Sequence, residues 1–400
     1  MLSRRQSFTS ATAYSATAAR RFGGGRGRRT RPRAPLTTEL YAADPSAHFF
    51  GDRIFVYCSH DSPEVNNSLE VPNFNMVDFH VLELPPRGVS TPVVTHPVAL
   101  RLADVPWARG KMWAPDAAYS AGRYYLYFSA QDAAGVFRIG VAQSARPQGP
   151  FAAQPQPMAN SFSVDPAVFR DGFSNYYLFF GGLCGGQLQR WESGSFDASA
   201  SGGRLDVPRW NPETRVCRDA NLKLRSNLSA AVLDAPAVLP RYARLTDDML
   251  ELAHEPRRVE IVDEAGAPLR TGDHERRFFE GAWVHARRGV YYLSWSTGST
   301  HRIVYATASS VHGPWVYRGV VSHPVKGWTH HHSIVEVGSD EWLFFYHDTE
   351  RSDTTHLRDA KVAPLRHHAN GSIEPIFHHG VGWRSMYRHA GQQLSGGYRA

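Results

Sequence analysis

The chain has 400 residues, 42% hydrophobic and 20% charged, an ordinary globular composition with material for one large domain or two medium ones. No apolar run approaches the roughly 18 residues a membrane helix needs, so no membrane partner is expected. The net charge of +7 is uneven: residues 1–38 hold nine arginines and no acid, leaving −2 for the rest, so no nucleic-acid partner is expected for the folded body.

Residues 1–35, rich in Arg, Ser, Ala and Gly, cannot bury enough apolar surface to fold and read as a disordered basic tail or targeting segment. Their composition resembles an organelle transit peptide and lacks the continuous apolar core of a secretory signal. That leans toward an intracellular location without deciding it. Cys58, Cys184 and Cys217 are an odd number with no CxxC spacing, which argues against a disulfide framework and against a zinc site. Asn66, Asn227 and Asn370 fit the glycosylation sequon, a pattern frequent enough by chance to leave the compartment open.

From residue 36 onward an internal repeat organises the chain. Five short aromatic strands are expected: Arg53-Ile-Phe-Val-Tyr-Cys58, Arg123-Tyr-Tyr-Leu-Tyr-Phe128, Asn175-Tyr-Tyr-Leu-Phe-Phe180, Val290-Tyr-Tyr-Leu-Ser-Trp295 and Glu341-Trp-Leu-Phe-Phe-Tyr346. Most follow a glycine-containing turn, and several lead into a further strand of period two, such as Phe137–Ala142 or Arg302–Ala306. With 34 glycines, 26 prolines and 12% aromatics, this pattern predicts an all-β protein, a five-bladed β-propeller closed without open edges, over residues 36–385. Residues 196–275 read as an insertion between repeats three and four, with a short helix capped at Thr246 and stopped at Pro256. Residues 386–400 read as a C-terminal tail.

Just before the aromatic strands stand Ala43-Asp-Pro-Ser46, Trp113-Ala-Pro-Asp116, Val164-Asp-Pro-Ala167, Phe279-Glu-Gly-Ala282 and His331-His-Ser-Ile334. In a propeller these segments line the axis, so they would deliver Asp44, Asp116, Asp165, Glu280 and a histidine to one place. Two carboxyl groups flanking a sugar ring are the minimum equipment for glycoside hydrolysis: one protonates the leaving oxygen, the other takes a proton from water or attacks. Glu280 lies among Phe278, Phe279 and Trp283, where desolvation favours the neutral acid. Asp44 would be the base, and Asp165 a third carboxylate that raises the Glu280 pKa and orients it. Singly, Asp44 and Asp165 also read as Asp-Pro turn residues, and Trp-Ala-Pro-Asp as a strand entrance. The collective pattern carries the expectation.

Trp113 would stack on a sugar face or pack in the core, and Asp116 is a candidate substrate-binding residue. His330-His331-His332 cannot all ligate one ion, since neighbours on a strand face opposite ways. A calcium ion, which prefers oxygen ligands, could sit on the axis beside one of them as a structural cofactor. No GxSxG, HExxH or Walker-type loop suggests another chemistry.

Five ordered segments carry a family resemblance: Tyr41-Ala-Ala-Asp-Pro-Ser46, Met112-Trp-Ala-Pro-Asp116, Val164-Asp-Pro-Ala-Val-Phe169, Phe278-Phe-Glu-Gly-Ala-Trp283 and His331-His-Ser-Ile-Val335. Over roughly residues 36–378 the chain resembles glycoside hydrolase family 43, the β-xylosidases, α-L-arabinofuranosidases and arabinanases. Gly185-Gly-Gln-Leu-Gln-Arg-Trp191 looks like the β-xylosidase branch. The resemblance implies inversion, with Asp44 as general base, Glu280 as general acid and Asp165 as pKa modulator. It also implies that His331 helps hold a central Ca2+ and that Arg358 reaches the sugar hydroxyls. The expected activity is release of xylose, and of L-arabinose as a second sugar, from xylan or arabinoxylan fragments. The rival readings are an arabinofuranosidase or arabinanase, a non-catalytic carbohydrate-binding propeller, and a scaffold for protein partners. The sequence leaves oligomeric state open.

Overall fold

The computed structural model describes residues 33–64, 74–85, 93–198, 210–211, 216–217, 233–298 and 300–378. The expected tail 1–35 therefore falls almost wholly outside the described residues, as do 386–400. Five sheets of three to five strands follow one another along the chain, and a two-stranded ribbon, Trp210–Asn211 with Val216–Cys217, lies in sequence between the second and third strands of the third. Blade one holds Tyr41–Phe50, Arg53–Asp61 and Asp78–Leu84, edged by Val94–Thr95 and Leu100–Arg101. Blade two holds Gly110–Ser120, Arg123–Gln131, Phe137–Ser144 and Ala152–Ala153. Blade three holds Ala167–Arg170, Tyr176–Phe180, Arg241–Arg244 and Arg257–Arg258. Blade four holds Glu280–Arg287, Val290–Ser296, Ile303–Ala308 and Trp315–Ser322, with Ile261–Val262 added in parallel. Blade five holds His332–Gly338, Glu341–Asp348 and Asp359–Leu365.

The first strand of each blade packs against the first strands of the blades before and after it, and blade five packs against blade one. The ring is thus a closed five-bladed propeller, as the repeat predicted. The N-terminal segment helps to close it: the Leu36 N–H donates to the Ala360 carbonyl of blade five at 2.8 Å. Leu36 itself is buried among Ile54, Val56, Leu82, Phe345 and Val362, side chains of blades one and five. Each aromatic repeat is the second strand of its blade. Its alternate side chains fill the spaces between sheets, with Tyr57, Tyr127, Phe179, Trp295 and Tyr346 all buried. Burying one such side chain stabilises by roughly 1.5–3 kcal/mol, so the repeat is the fold's main apolar asset.

Two parts of the stretch 196–275 differ from the sequence reading. Arg241–Arg244 pairs with Tyr177–Phe180, so this stretch supplies the outer strands of blade three. The helix expected after Thr246 is a tight turn instead, with the Ala253 N–H donating to the Arg244 carbonyl. The cause is local: the Asp248 carboxylate accepts from Thr246 Oγ1 and from the Leu250 N–H, and Thr246 Oγ1 accepts the Glu251 N–H. These side chains take donors that a helix would use. Cys184, read as outside any disulfide framework, is disulfide-bonded.

Candidate active site

The inner strands are broken by bulges where their polar residues stand. In blade one, Ala43 pairs with Ser59 and Ser46 with Tyr57, which leaves Asp44 and Pro45 out of register, with Asp44 at φ 50°. Blade two repeats this with Trp113 opposite Ser129 and Ala114 at φ 41°. Asp165 of blade three has φ 59°, and in blade four the bulge between Glu280 and Trp283 contains Gly281 at φ 66°. A bulge re-aims side chains, and non-glycine residues hold positive φ only where their surroundings fix them.

What fixes them is a hydrogen bond from the neighbouring blade. The residue closing each aromatic repeat is Ser59, Ser129, Gly181, Ser296 or His347. Ser59 Oγ accepts the Ala114 N–H at 2.9 Å, Ser129 Oγ accepts the Asp165 N–H at 3.1 Å, and His347 Nδ1 accepts the Asp44 N–H at 3.0 Å. Blades one, two and five thereby each hold the positive-φ segment of the blade that follows. His347 must then be neutral with its proton on Nε2, which donates toward Thr329 Oγ1 at 2.9 Å. Burial, reinforced by the Arg358 charge, holds its pKa well below the usual value.

Asp44 is buried and enclosed by donors. Ser59 Oγ donates to Oδ2 at 2.8 Å, and Arg358 Nη1 donates to Oδ1 at 2.7 Å. Burial alone would raise its pKa, but Arg358 with His331 and His347 outweighs that and holds the carboxyl far below the usual range. Asp44 stays ionised. Arg358 is itself clamped by Asp61, through Nε at 2.8 Å, Nη2 at 2.7 Å and the backbone N–H at 2.8 Å. Its guanidinium stands 5.0 Å from the Phe74 ring centroid. Arg358 was expected to reach sugar hydroxyls. Instead its N–H groups go to Asp44, Asp61 and Thr329, and only 3% of its side chain is exposed. It holds Asp44 ionised.

Glu280 has the opposite environment. It is half-buried, and among the described residues no hydrogen bond reaches its carboxyl. Burial first, then the charge of Asp165, push its pKa up to about 8. Asp165 Oδ2 accepts the Gly281 N–H at 2.9 Å, which ties the third carboxylate to the residue beside Glu280. Burial raises Asp165 to about 6, against the pull of His331. The three carboxyl groups are thus tuned apart: Asp44 is held ionised, and Glu280 is the one most strongly biased toward keeping its proton. His331 fits among these acids, with Nδ1 3.6 Å from Asp44 Oδ1. Desolvation opposes its charge, but Asp165, Asp44 and Glu280 raise it to about 9. Its neighbours turn away, as the strand argument required: His332 Nε2 meets Ser294 Oγ at 2.6 Å and His330 Nδ1 donates to the His301 carbonyl at 3.0 Å.

Trp113 is half-buried, its Nε1 donating to the Phe74 carbonyl at 2.8 Å and its ring 4.7 Å from Phe137. Asp116 departs from the expectation of a substrate-binding residue. It lies beyond the bulge, opposite Tyr127, in the register position that Ser46 occupies opposite Tyr57. Its carboxylate is 1% exposed and is shared by Ser46 Oγ, His48 Nε2 and the Val168 N–H. Asp116 braces blades one, two and three. Sequence reasoning missed Asp61 and the closing positions Ser59, Ser129 and His347. The signal for the latter was present: a polar residue ends four of the five repeats.

Comparison with known proteins agrees with this geometry. The model of the family described as Glycosyl hydrolases family 43 matches residues 94–194 and 241–373. Xylosidase/arabinosidase 43A of Humicola insolens is 44% identical over 345 residues, covering 85% of this chain and 98% of that protein. Beta-xylosidase of Xylanibacter ruminicola is 37% identical over 339 residues, covering 84% and 97%. A GH43 beta-xylosidase/alpha-arabinofuranosidase from a compost microbial metagenome, solved in complex with xylotriose in a calcium-free form, superposes with a TM-score of 0.74. It is 44% identical, covering 88% of this chain and 98% of that one. With its propeller and its axial carboxylates, the chain belongs to glycoside hydrolase family 43.

Proposed function

We propose that this glycoside hydrolase is an inverting β-xylosidase that releases xylose from the ends of xylan-derived oligosaccharides and also accepts α-L-arabinofuranosides. The observation that carries the reading is the opposite tuning of two carboxyl groups brought in by different blades. Glu280, protonated up to about pH 8, gives its proton to the glycosidic oxygen as the bond from C1 to that oxygen breaks. Asp44, ionised throughout, takes a proton from the water whose oxygen bonds to C1 from the other side. Asp165 keeps Glu280 protonated and, through the Gly281 N–H, fixes the bulge that aims it. Trp113, half-buried beside the axial segments, is the aromatic we assign to stack on the sugar. The relatives named for xylosidase and arabinosidase activity support the same substrate class.

A calcium ion on the axis would supply a fixed positive charge. His331 would have to give up the proton that Asp165, Asp44 and Glu280 favour before offering the ion a ligand atom, Asp44 is held by Ser59 and Arg358, and Asp165 accepts from Gly281. Among the described residues no grouping of three ligand atoms includes His331. Such an ion would take most of its six to eight oxygen ligands from water.

Released-sugar analysis on xylobiose and arabino-oligosaccharides, run beside Asp44→Asn and Glu280→Gln, tests the reading. Xylose from xylobiose, lost in both variants, is the expected result. A wild-type chain that binds xylo-oligosaccharides and cleaves none would make it a carbohydrate-binding propeller.

A further inference from the structure

Blade one carries a second group of chemistry-bearing side chains away from the three acids. The strand Arg53–Asp61 turns Ser59 and Asp61 toward Asp44 and Arg358. Its other face presents Ile54, Val56 and Cys58 to the core shared with blade five. His60 continues that second face. On the adjacent strand the same face carries Leu84 and Leu82, then His80 and Asp78, with Cys58 opposite His80, and just past the last paired residues the His60 and Asp78 side chains meet at 2.8 Å. An apolar stripe of period two therefore ends, on two neighbouring strands at once, in two histidines and an aspartate.

Their geometry is that of a ligand set. One ligand atom from each of His60, Asp78 and His80 lies within 4.8 Å of the other two. His60 Nδ1 is 2.8 Å and His80 Nε2 is 3.8 Å from Asp78 Oδ1, and the two rings meet edge to face at 5.0 Å. A zinc ion bound at about 2.0–2.1 Å in tetrahedral geometry separates its donors by roughly 3.3 Å. The two observed separations bracket that value. The second shell is built as well. His80 Nδ1 can only donate to the His96 carbonyl, 3.3 Å away, which leaves the Nε2 lone pair aimed at Asp78. The His96 ring is held by Glu83 at 2.7 Å, and Glu83 by Arg53 at 2.7 Å. Fixing the tautomer through the far ring nitrogen is how metal-binding histidines are oriented. All three side chains are partly buried, with exposures of 34%, 18% and 12% for His60, Asp78 and His80, so an ion has access.

We propose that His60, Asp78 and His80 form a binding site for one divalent transition-metal ion of the zinc class, distinct from any calcium on the axis. Two imidazoles and a carboxylate favour zinc, cobalt, nickel or copper over calcium, which prefers an all-oxygen shell. Three protein ligands leave a further position for water. The site joins the ends of two strands one residue from Asp61, so an occupied site ties down the strand that positions Arg358.

The test uses the full chain, stripped with chelator and titrated with Co2+, following its visible absorption, with bound metal measured by elemental analysis. One ion per chain, displaced by Zn2+, is expected. His80→Ala and Asp78→Asn should each weaken binding by about 10-fold or more, and Zn2+ should raise the unfolding temperature of the wild type but not of these variants. Far-ultraviolet circular dichroism checks that each variant is folded, and His60→Gln, at the most exposed ligand, provides a second route if one is not. His331→Ala should leave Co2+ binding unchanged. No Co2+ band, a band that persists in folded His60→Gln or His80→Ala, or one lost only in His331→Ala would overturn the proposal and leave a half-buried histidine–aspartate ion pair.

Discussion

Replacing Asp165 with Asn removes one negative charge from beside Glu280 while keeping an oxygen to accept the Gly281 N–H. Glu280 Cβ and Asp165 Oδ2 lie 3.5 and 3.7 Å from the position a Cβ on Gly182 would take, so they are no more than about 7 Å apart. The Glu280 carboxyl reaches a few ångströms beyond Cβ, so for charges about 7–10 Å apart, with an effective dielectric of about 20, the repulsion is roughly 1.7–2.4 kcal/mol, or about 1.2–1.7 pK units. Asp165, at about 6, is ionised where Glu280 titrates, so this repulsion is fully present in the wild type. Removing it should lower the Glu280 pKa from about 8 toward about 6. The acid works only while protonated, so the alkaline limb of kcat/KM should move down by between one and two pH units. Xylobiose is the required substrate, because its poor leaving group needs the proton; an aryl xyloside with an acidic phenol would hide the effect. At pH 5 both enzymes hold Glu280 protonated, and their residual difference reports the orienting role of Asp165. A uniform loss at every pH, with the alkaline limb unmoved, would refute the electrostatic role.

The acid and base should also separate by substrate. Glu280→Gln is expected to lose roughly 10²–10⁴-fold on xylobiose but far less on an activated aryl xyloside, whereas Asp44→Asn should lose comparable activity on both; parallel kinetics on the two substrates checks this. Arg358→Ala leaves Asp44 and Asp61 buried without their cation. Urea unfolding should show a loss of about 3–5 kcal/mol, and the acid limb of the pH profile should move upward as the Asp44 pKa rises. Stability should itself report on Glu280. Its folded pKa of about 8 exceeds the unfolded value near 4.5, so its contribution, complete below about pH 4.5, is lost as pH rises through about 8. Glu280→Gln should remove that decline, measurable as a flatter dependence of Tm on pH.

The aromatic repeats and axial carboxylates were readable because both are local patterns. A six-residue strand carries its own β-forming side chains, and Asp44, Asp165 and Glu280 sit at matching distances before such strands. Asp61 was not readable, because its meaning lies in Arg358, 297 residues away across the closure of the ring. Asp116 was misread for a finer reason. The bulge at Ala114 shifts the register, so Asp116 matches Ser46 rather than Asp44 and turns between blades. Glu280 itself stands one place before the positive-φ residue, opposite Ser296, as Trp113 stands opposite Ser129. A bulge changes which face a side chain takes without changing the spacing of residues along the chain. The turn at residues 246–252 shows the same limit in a loop, where Thr246 and Asp248 can cap a helix or replace it.

The division of labour between Asp44 and Glu280 makes one stereochemical commitment. Proton NMR of the first xylose released from a β-xyloside, recorded before mutarotation, reads it directly. Initial appearance of the α-anomer, abolished in Asp44→Asn, is the result expected when Asp44 activates water. Initial appearance of the β-anomer would make Asp44 a nucleophile and contradict the role assigned to it.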